Sequence, residues 1–234
     1  MTTQSITYAG HSAVFIEIDG LRVAIDPWLN GNPLCPGSLM HPQQLDLIVL
    51  THGHSDHAGD AVRVAKESGA KLAATYELAM IMIAEGVPSE KVIPMNKGGS
   101  VSVGRLTLRL THAFHSSSYD TSAGTVYAGE ACGALISSPK WCVYHAGDTE
   151  IFSDMKLIGE LYKPNVALLP IGDRFTMGPR EAALAASWLG CGVAIPIHYK
   201  TFAALTGTYE EFSRECATLG VESLEIAPGA TRTF

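Results

Sequence analysis

Residues 51 to 60 read Thr-His-Gly-His-Ser-Asp-His-Ala-Gly-Asp and follow directly on the apolar run Leu47-Ile48-Val49-Leu50. A strand that ends in His52, His54, Asp56 and His57 constrains the fold more than any other segment, because so many donors in six positions mark a metal site. Neutral imidazole nitrogen and carboxylate oxygen suit zinc, manganese or iron, and a rigid strand end fixes their geometry. Side chains alternate along extended backbone, so His52 and His54 project together towards one ion. His57 follows Asp56 where the stretch from Ala58 to Glu67 looks helical, and its imidazole turns aside towards a second ion. The spacing points to two metals rather than one. With 9 His in 234 residues, a chance accumulation explains the cluster poorly.

One loop cannot complete two coordination spheres, so further His and Asp should recur at other strand ends. They do. His115 lies just beyond a period-2 segment in which Leu106, Leu108 and Leu110 alternate with Arg105, Thr107, Arg109 and Thr111. Asp148 follows the apolar stretch Trp141 to Tyr144, and His198 closes the run Ile195-Pro196-Ile197. The donor set is therefore His52, His54, Asp56, His57, His115, Asp148 and His198.

The order H-x-H-x-D-H, then His, then Asp, then His resembles the metallo-β-lactamase-fold hydrolases. More narrowly, Tyr144-His-Ala-Gly-Asp-Thr149, Asp154-Met-Lys-Leu-Ile-Gly-Glu160, Leu168-Leu-Pro-Ile-Gly172, Phe175-Thr-Met-Gly-Pro179 and Ile195-Pro-Ile-His-Tyr199 are similar to a bacterial and archaeal group of metal-dependent hydrolases. That group is akin to the ascorbate-phosphate lactonase branch, and the likeness runs from about Ile6 to the C-terminus. The resemblance implies one site with His52, His54 and His115, a second with Asp56, His57 and His198, and Asp148 bridging both. Asp56 and Asp148 are then candidate catalytic carboxylates as well as ligands. His112 competes with His115, but in related hydrolases the matching His precedes a small or aromatic residue and Ser, which fits His115. His11 matches a recurring early His near the cleft, and Asp26-Pro27 a recurring turn; each reads equally as an outer partner of a ligand or as a structural turn. His145 is expected to face away from the ions, and His41 to be solvated. Where relatives read Gly-Gly-Asn-Phe, this chain has Gly172-Asp173-Arg174-Phe175, so no substrate carries over.

Strand signals alternate with helical ones. The segments Ser12 to Ile18 and Leu21 to Asp26 flank Asp19-Gly20, a hairpin turn signal. Further strands are expected at Leu47–Leu50, Lys71–Thr75, Arg105–Thr111, Cys132–Ser137, Trp141–His145, Val166–Pro170, Val193–Ile197 and Ser223–Ile226. Helices are expected at Ala58–Ser68, Tyr76–Glu85, Ile151–Leu161, Pro179–Leu189 and Tyr209–Leu219. Gly178-Pro179 starts one helix and Gly190 stops it, while Thr208 to Glu211 reads as a capping box. Early hairpins followed by strand-helix alternation predict two sheets face to face with helices outside, an α/β four-layer αββα sandwich formed by residues 1–234 as a single domain.

Composition narrows the function. A net charge of −7 without a Lys/Arg cluster opposes the nucleases of the superfamily, so no nucleic acid partner is expected. No apolar run reaches the roughly 18 residues that span a bilayer, and no leader is legible, so no membrane partner and a cytoplasmic location are the expectation. The five cysteines are odd in number and form no C-x-x-C pair, which reads as reduced, mostly buried thiols. Lys97-Gly98-Gly99 lacks phosphate-loop spacing and reads as a turn.

The expected chemistry is that of a dinuclear metal-dependent hydrolase. A metal-activated hydroxide attacks an ester, lactone, thioester or phosphodiester bond of a small molecule, anionic compounds included, with zinc first among zinc, manganese and iron. Ser116, Ser117, Ser118, Tyr119, Arg174, Tyr199 and Lys200 are candidate substrate contacts, set against plain loop polarity. An iron-dependent redox enzyme of the same fold and a non-catalytic metal-binding protein are the alternatives. Position 54 is His rather than the Glu of diiron oxygen reductases. A homo-oligomer stays open.

Overall fold

The computed structural model describes residues 4–234. It opens with an antiparallel meander, β1 (Ser5–Gly10), β2 (Ala13–Ile18) and β3 (Leu21–Ile25). Asp19 and Gly20 take φ of 50° and 81°, the left-handed pair that a tight two-residue hairpin needs. Then follow β4 (Leu47–Val49), α1 (Ser55–Ala58), α2 (Ala61–Ser68), β5 (Lys71–Thr75), α3 (Tyr76–Ala84) and β6 (Val92–Met95). The second half comprises β7 (Ser100–Val103), β8 (Leu106–His112), the hairpin β9 (Ser118–Thr121) and β10 (Gly124–Tyr127), β11 (Cys132–Ser137) and β12 (Cys142–His145). It ends with α4 (Met155–Tyr162), β13 (Val166–Pro170), α5 (Pro179–Leu189), β14 (Val193–Ile197), α6 (Tyr209–Thr218) and β15 (Thr231–Thr233).

The strands form a seven-stranded sheet in the order β15-β1-β2-β3-β4-β5-β6 and a six-stranded sheet in the order β14-β13-β12-β11-β8-β7. Their facing sides share one apolar core, in which Ile16, Ile18, Val23 and Leu47 of the first sheet meet Leu108, Leu110, Ile136 and Leu168 of the second. The opposite faces are covered by helices. Val64, Leu78 and Met82 seal the first sheet, and Met155, Ala182, Leu189 and Phe212 the second. The four-layer αββα arrangement expected from the sequence is what the chain adopts.

Strand direction explains where the donors go. β3, β4 and β5 run parallel, as do β12, β13 and β14; β8 is separated from β12 by β11, antiparallel to both, and so runs with β12. The C-terminal ends of β4, β8, β12 and β14 therefore reach one edge of the sandwich.

Three boundaries differ from expectation by more than an end residue, the first being the helix expected at Ile151–Leu161, which starts at Met155. The helix expected from Ala58 starts earlier and breaks at Gly59-Asp60, because the Asp60 carboxylate turns back to accept from Leu29 N and Asn30 N, both at 2.7 Å. Ser223–Ile226 is not a strand; only the bridge between Ala194 and Ser223 forms there. α5 runs Pro179–Leu189 with Gly190 at φ 57° as its stop, and Thr208 Oγ1 accepts from Glu211 N at 3.2 Å to cap α6, both as read from sequence. Among the described residues no helix is long and apolar enough to cross a membrane.

Gly159 in α4 tests the helix layer. An exposed helical Gly→Ala change stabilises by about 1 kcal/mol through propensity. Here a Cβ would lie 2.5 Å from Leu189 O and 2.7 Å from Trp188 O at the end of α5. Overpacking costs about 1–3 kcal/mol and reverses the sign. Gly159→Ala should lower the urea midpoint of unfolding; an unchanged or raised midpoint would show that α4 and α5 have room to part.

Candidate metal centre

The edge where the strands end gathers all seven sequence-predicted donors. His52 and His54 leave β4 in extended backbone, and His54, at φ −59° and ψ 148°, is the residue from which α1 starts. Asp56 and His57 lie within α1, so the helical turn carries them to a different side from His52 and His54. His52 Nε2 and His54 Nδ1 approach to 3.0 Å, and the His115 ring centroid lies 5.1 Å and 5.2 Å from theirs. His52, His54 and His115 thus offer nitrogens that converge within 4.8 Å of one another. A second convergent group comprises Asp56, His57, His198 and His11.

Asp148 stands between the groups. Its Oδ2 lies 3.0 Å from His198 Nε2 and 3.6 Å from His115 Nε2, and its Oδ1 lies 3.3 Å from His57 Nε2. His57 Nε2 and Asp148 Oδ1 are buried and without a hydrogen-bond partner among the described residues. Buried polar atoms are rarely left so, and a cation between them satisfies both. Burial, with His57 alongside, pushes His52 well below the usual imidazole range. Burial likewise lowers His54 and His115, so this trio is neutral and each ring keeps a lone pair. Burial would raise the Asp148 carboxyl, but His198 and His57 facing it hold it well below the usual range. The neutral imidazoles of His52, His54 and His115 beside an ionised carboxylate are the donor chemistry of a divalent-metal site; burial would lower His57, but Asp148 and Asp26 facing it hold it well above the usual range, so a cation there would displace its proton.

An outer layer fixes the rings. Asp26 Oδ2 accepts from Thr51 Oγ1 at 2.6 Å and faces His57 Nδ1 at 2.8 Å, while its Oδ1 accepts from Thr51 N at 2.8 Å. Thr51 Oγ1 is also 3.0 Å from His52 Nδ1. With its hydroxyl proton on Asp26, Thr51 accepts from His52 Nδ1–H. The network therefore assigns the His57 Nδ1 proton to Asp26 directly and the His52 Nδ1 proton to Thr51, which Asp26 holds in turn, and leaves both Nε2 atoms for coordination. Asp26, His52 and His57 also converge as a group, but Asp26 is occupied by these bonds and acts as orienter.

Comparison with known proteins agrees with this geometry. Residues 21–199, which include every sequence-predicted donor, match the beta-lactamase superfamily domain. The chain is 48% identical over 228 residues to the UPF0173 metal-dependent hydrolase of Methanopyrus kandleri, covering 96% of this chain and 97% of that protein. The chain belongs to this family of metal-dependent hydrolases. Igni18, a metallo hydrolase from Ignicoccus hospitalis, superposes with a TM-score of 0.88 at 39% identity, covering 100% of this chain and 99% of that one. The metallo-beta-lactamase fold protein YhfI from Bacillus subtilis shares the fold at a TM-score of 0.75 and 13% identity, with 100% of each chain covered.

The remaining sequence candidates divide. His115, not His112, joins His52 and His54; His112 instead faces Lys97 Nζ at 3.2 Å and stacks edge-on with Phe114. His11 and Asp26 are outer partners rather than plain turns, since His11 Nε2 lies 3.1 Å from Asp56 Oδ2. The Asp56 carboxyl is raised by burial, but His11 and the neighbouring His57 hold it well below the usual range. His145 turns away, its Nε2 bonding Ser12 O at 3.0 Å, and His41 is on the surface beside Glu67. Two expected substrate contacts are structural. Ser117 is buried, accepting from Gly53 N and donating to Ala128 O, both at 3.2 Å, and Tyr199 donates to Glu225 at 2.7 Å. Asp173 and Arg174 form no ion pair with each other among the described residues; Arg174 lies over the Phe175 ring. Thr51 and Thr201 were missed; the signal for Thr51 was its place directly before His52.

Asp26→Asn replaces one charged oxygen by an amide and disturbs both Nδ1 assignments. Outer partners of this kind cost about 10–100-fold in metal affinity when changed. A chelator competition should show that loss with the circular dichroism spectrum retained; wild-type affinity would remove Asp26 from the centre.

Proposed function

We propose that this hydrolase holds two divalent ions, one on His52, His54 and His115, the other on Asp56, His57 and His198, with Asp148 shared, and cleaves an ester, lactone, thioester or phosphodiester bond of a small molecule. The observation that carries the reading is the position of Asp148, whose two oxygens face imidazoles of both groups at 3.0–3.6 Å. Zinc is the expected ion, because nitrogen-rich donor sets with carboxylate oxygens suit it, and manganese and iron suit the same donors. Divalent ions held by these residues would bring the pKa of water down to about 7 and would polarise the oxygen of the scissile group.

The chain's own residues do the rest. Asp148 fixes the spacing of the two groups. Asp56, whose side chain is 28% exposed, stays ionised and is placed to accept a hydrogen bond from the attacking water and orient it. Its bond with His11 holds that carboxylate in register. Asp26 keeps His52 and His57 in the tautomer that turns Nε2 inward. No thiol competes as nucleophile, since burial raises all five, Cys35, Cys132, Cys142, Cys191 and Cys216, above the usual thiol range. The net charge of −7 and the lack of a Lys/Arg cluster support a small molecule over nucleic acid. Five free cysteines support a reducing, cytoplasmic setting.

Elemental analysis of chelator-free protein should give two ions per chain, and His54→Ala about one. Asp148→Asn and His54→Ala should each lower kcat/KM on ester or phosphodiester substrates by about a hundredfold or more, since even outer partners cost 10–100-fold. Unchanged turnover in either folded variant rejects the reading.

A further inference from the structure

Solvent reaches the centre on the side where Asp56 is exposed, and the surface there is aromatic. Phe202 is 42% exposed, and its ring lies 5.8 Å from that of Trp28 at an interplanar angle of 30°. Both rings meet His11 edge-on, at 5.5 Å and 5.3 Å, and His11 Nε2 is 3.1 Å from Asp56 Oδ2. One imidazole thus separates the aromatic pair from a proposed ligand. Neither ring is loosely placed. Leu29 N, next to Trp28, donates to Asp60 at 2.7 Å, and Asn32 Nδ2 donates to Trp28 O at 3.2 Å. Thr201, next to Phe202, is buried, and its Oγ1 lies 2.9 Å from His11 Nδ1.

Two lysines beside the donor loops are paired, and Arg174 lies over the Phe175 ring. Lys200 Nζ donates to Glu225 at 3.0 Å, and Lys97 is bound by Glu130. An anionic group on the substrate would therefore meet paired lysines. An apolar group would meet two fixed rings, which gain by stacking and by removal of exposed carbon from water.

We propose that Trp28 and Phe202 form the platform for an apolar, preferentially aromatic, group of the substrate. Phe202 is then a specificity-determining residue. The inference rests on the hydrolytic reading of the same centre: the substrate is a carboxylic or phosphoric derivative whose alcohol carries an aryl or bulky alkyl group.

Binding and turnover separate the two ideas. Calorimetry on the zinc-loaded protein should show benzylphosphonate bound about tenfold more tightly than methylphosphonate, equal to about 1.4 kcal/mol. Phe202→Ala should reduce that ratio to within about twofold, and Phe202→Leu, which keeps an apolar surface, should give an intermediate ratio. Phe202 lies at the surface, so both variants should fold. With benzyl and ethyl acetate, whose leaving groups are similar in basicity, the same variants should lose the benzyl preference in kcat/KM. The platform is overturned if wild-type protein shows no benzyl preference in binding, including no binding of either phosphonate, or if Phe202→Ala keeps the preference in full. Absence of hydrolysis of both esters with the phosphonate preference intact supports the platform and overturns ester cleavage at this centre instead.

Discussion

A carboxylate buried to 3% exposure among three imidazoles is the constraint on which this structure turns. An ionised group taken from water costs several kcal/mol unless its surroundings compensate it. The groups that compensate Asp148 come from both sheets: His57 from the segment after β4, His115 from beyond β8 and His198 from beyond β14. The sheets must therefore meet at this edge, and they are pinned there. Cys132 N donates to Thr51 O at 3.0 Å, His198 N to His11 O at 2.7 Å, and His145 Nε2 bonds Ser12 O at 3.0 Å. Each bond joins a residue of the first sheet's loops to one of the second sheet. His145 contributes to the centre in this way, although it reaches no donor group.

The backbone at this edge is held in conformations that most side chains avoid. His11, Asp26 and His198 have φ of 57°, 48° and 55°, in the left-handed region. Such residues cost about 1–3 kcal/mol each and persist where surrounding bonds over-determine them. Asp26 is held by Thr51 through both oxygens, His198 by its N–H to His11 O, and His11 by Tyr8 Oη on that same carbonyl at 2.9 Å. The turn at Asp26 aims its carboxylate at His57 and Thr51. The turn at His198 aims Nε2 at Asp148. Gly53 has a related origin: a Cβ there would fall 2.7 Å from Ser118 O, so the residue between His52 and His54 has no room for a side chain.

How much of this was legible depended on where each signal resides. The β2–β3 hairpin, α5 and α6 were readable because their determinants are local: Asp19-Gly20, Gly178-Pro179 with Gly190, and Thr208 with Glu211. The β9–β10 hairpin was not, since Gly124 to Tyr127 are all exposed and carry no alternation. β15 is three exposed residues paired with β1, a partner more than two hundred positions away. Ser223–Ile226 has strand-like residues but finds a single bridge. The convergence of the candidate donors was legible because metal chemistry demands rare residue types at strand ends. Ser117 and Tyr199 were set between substrate contact and loop polarity, because their partners, Ala128 and Glu225, come from tertiary contact. Asp26 was only half legible, since a turn and an orienter require the same Asp-Pro sequence.

The arrangement divides positioning from selection along the chain while keeping them mechanically joined. Donors sit at strand ends or in α1, where sheet pairing and the Asp26 network leave little freedom. The exposed rings Phe114 and Phe202 sit one and four residues from His115 and His198, on loops. A change at Phe202 therefore alters what the mouth accepts without touching a donor, whereas a change at Thr201 would act on both. Its hydroxyl reaches His11, and His11 reaches Asp56. Loop variation in such a protein can alter selectivity freely only where side chains point outward from that relay. By this argument the departure at Asp173-Arg174, exposed and without a mutual ion pair, concerns the rim rather than the metal-binding edge.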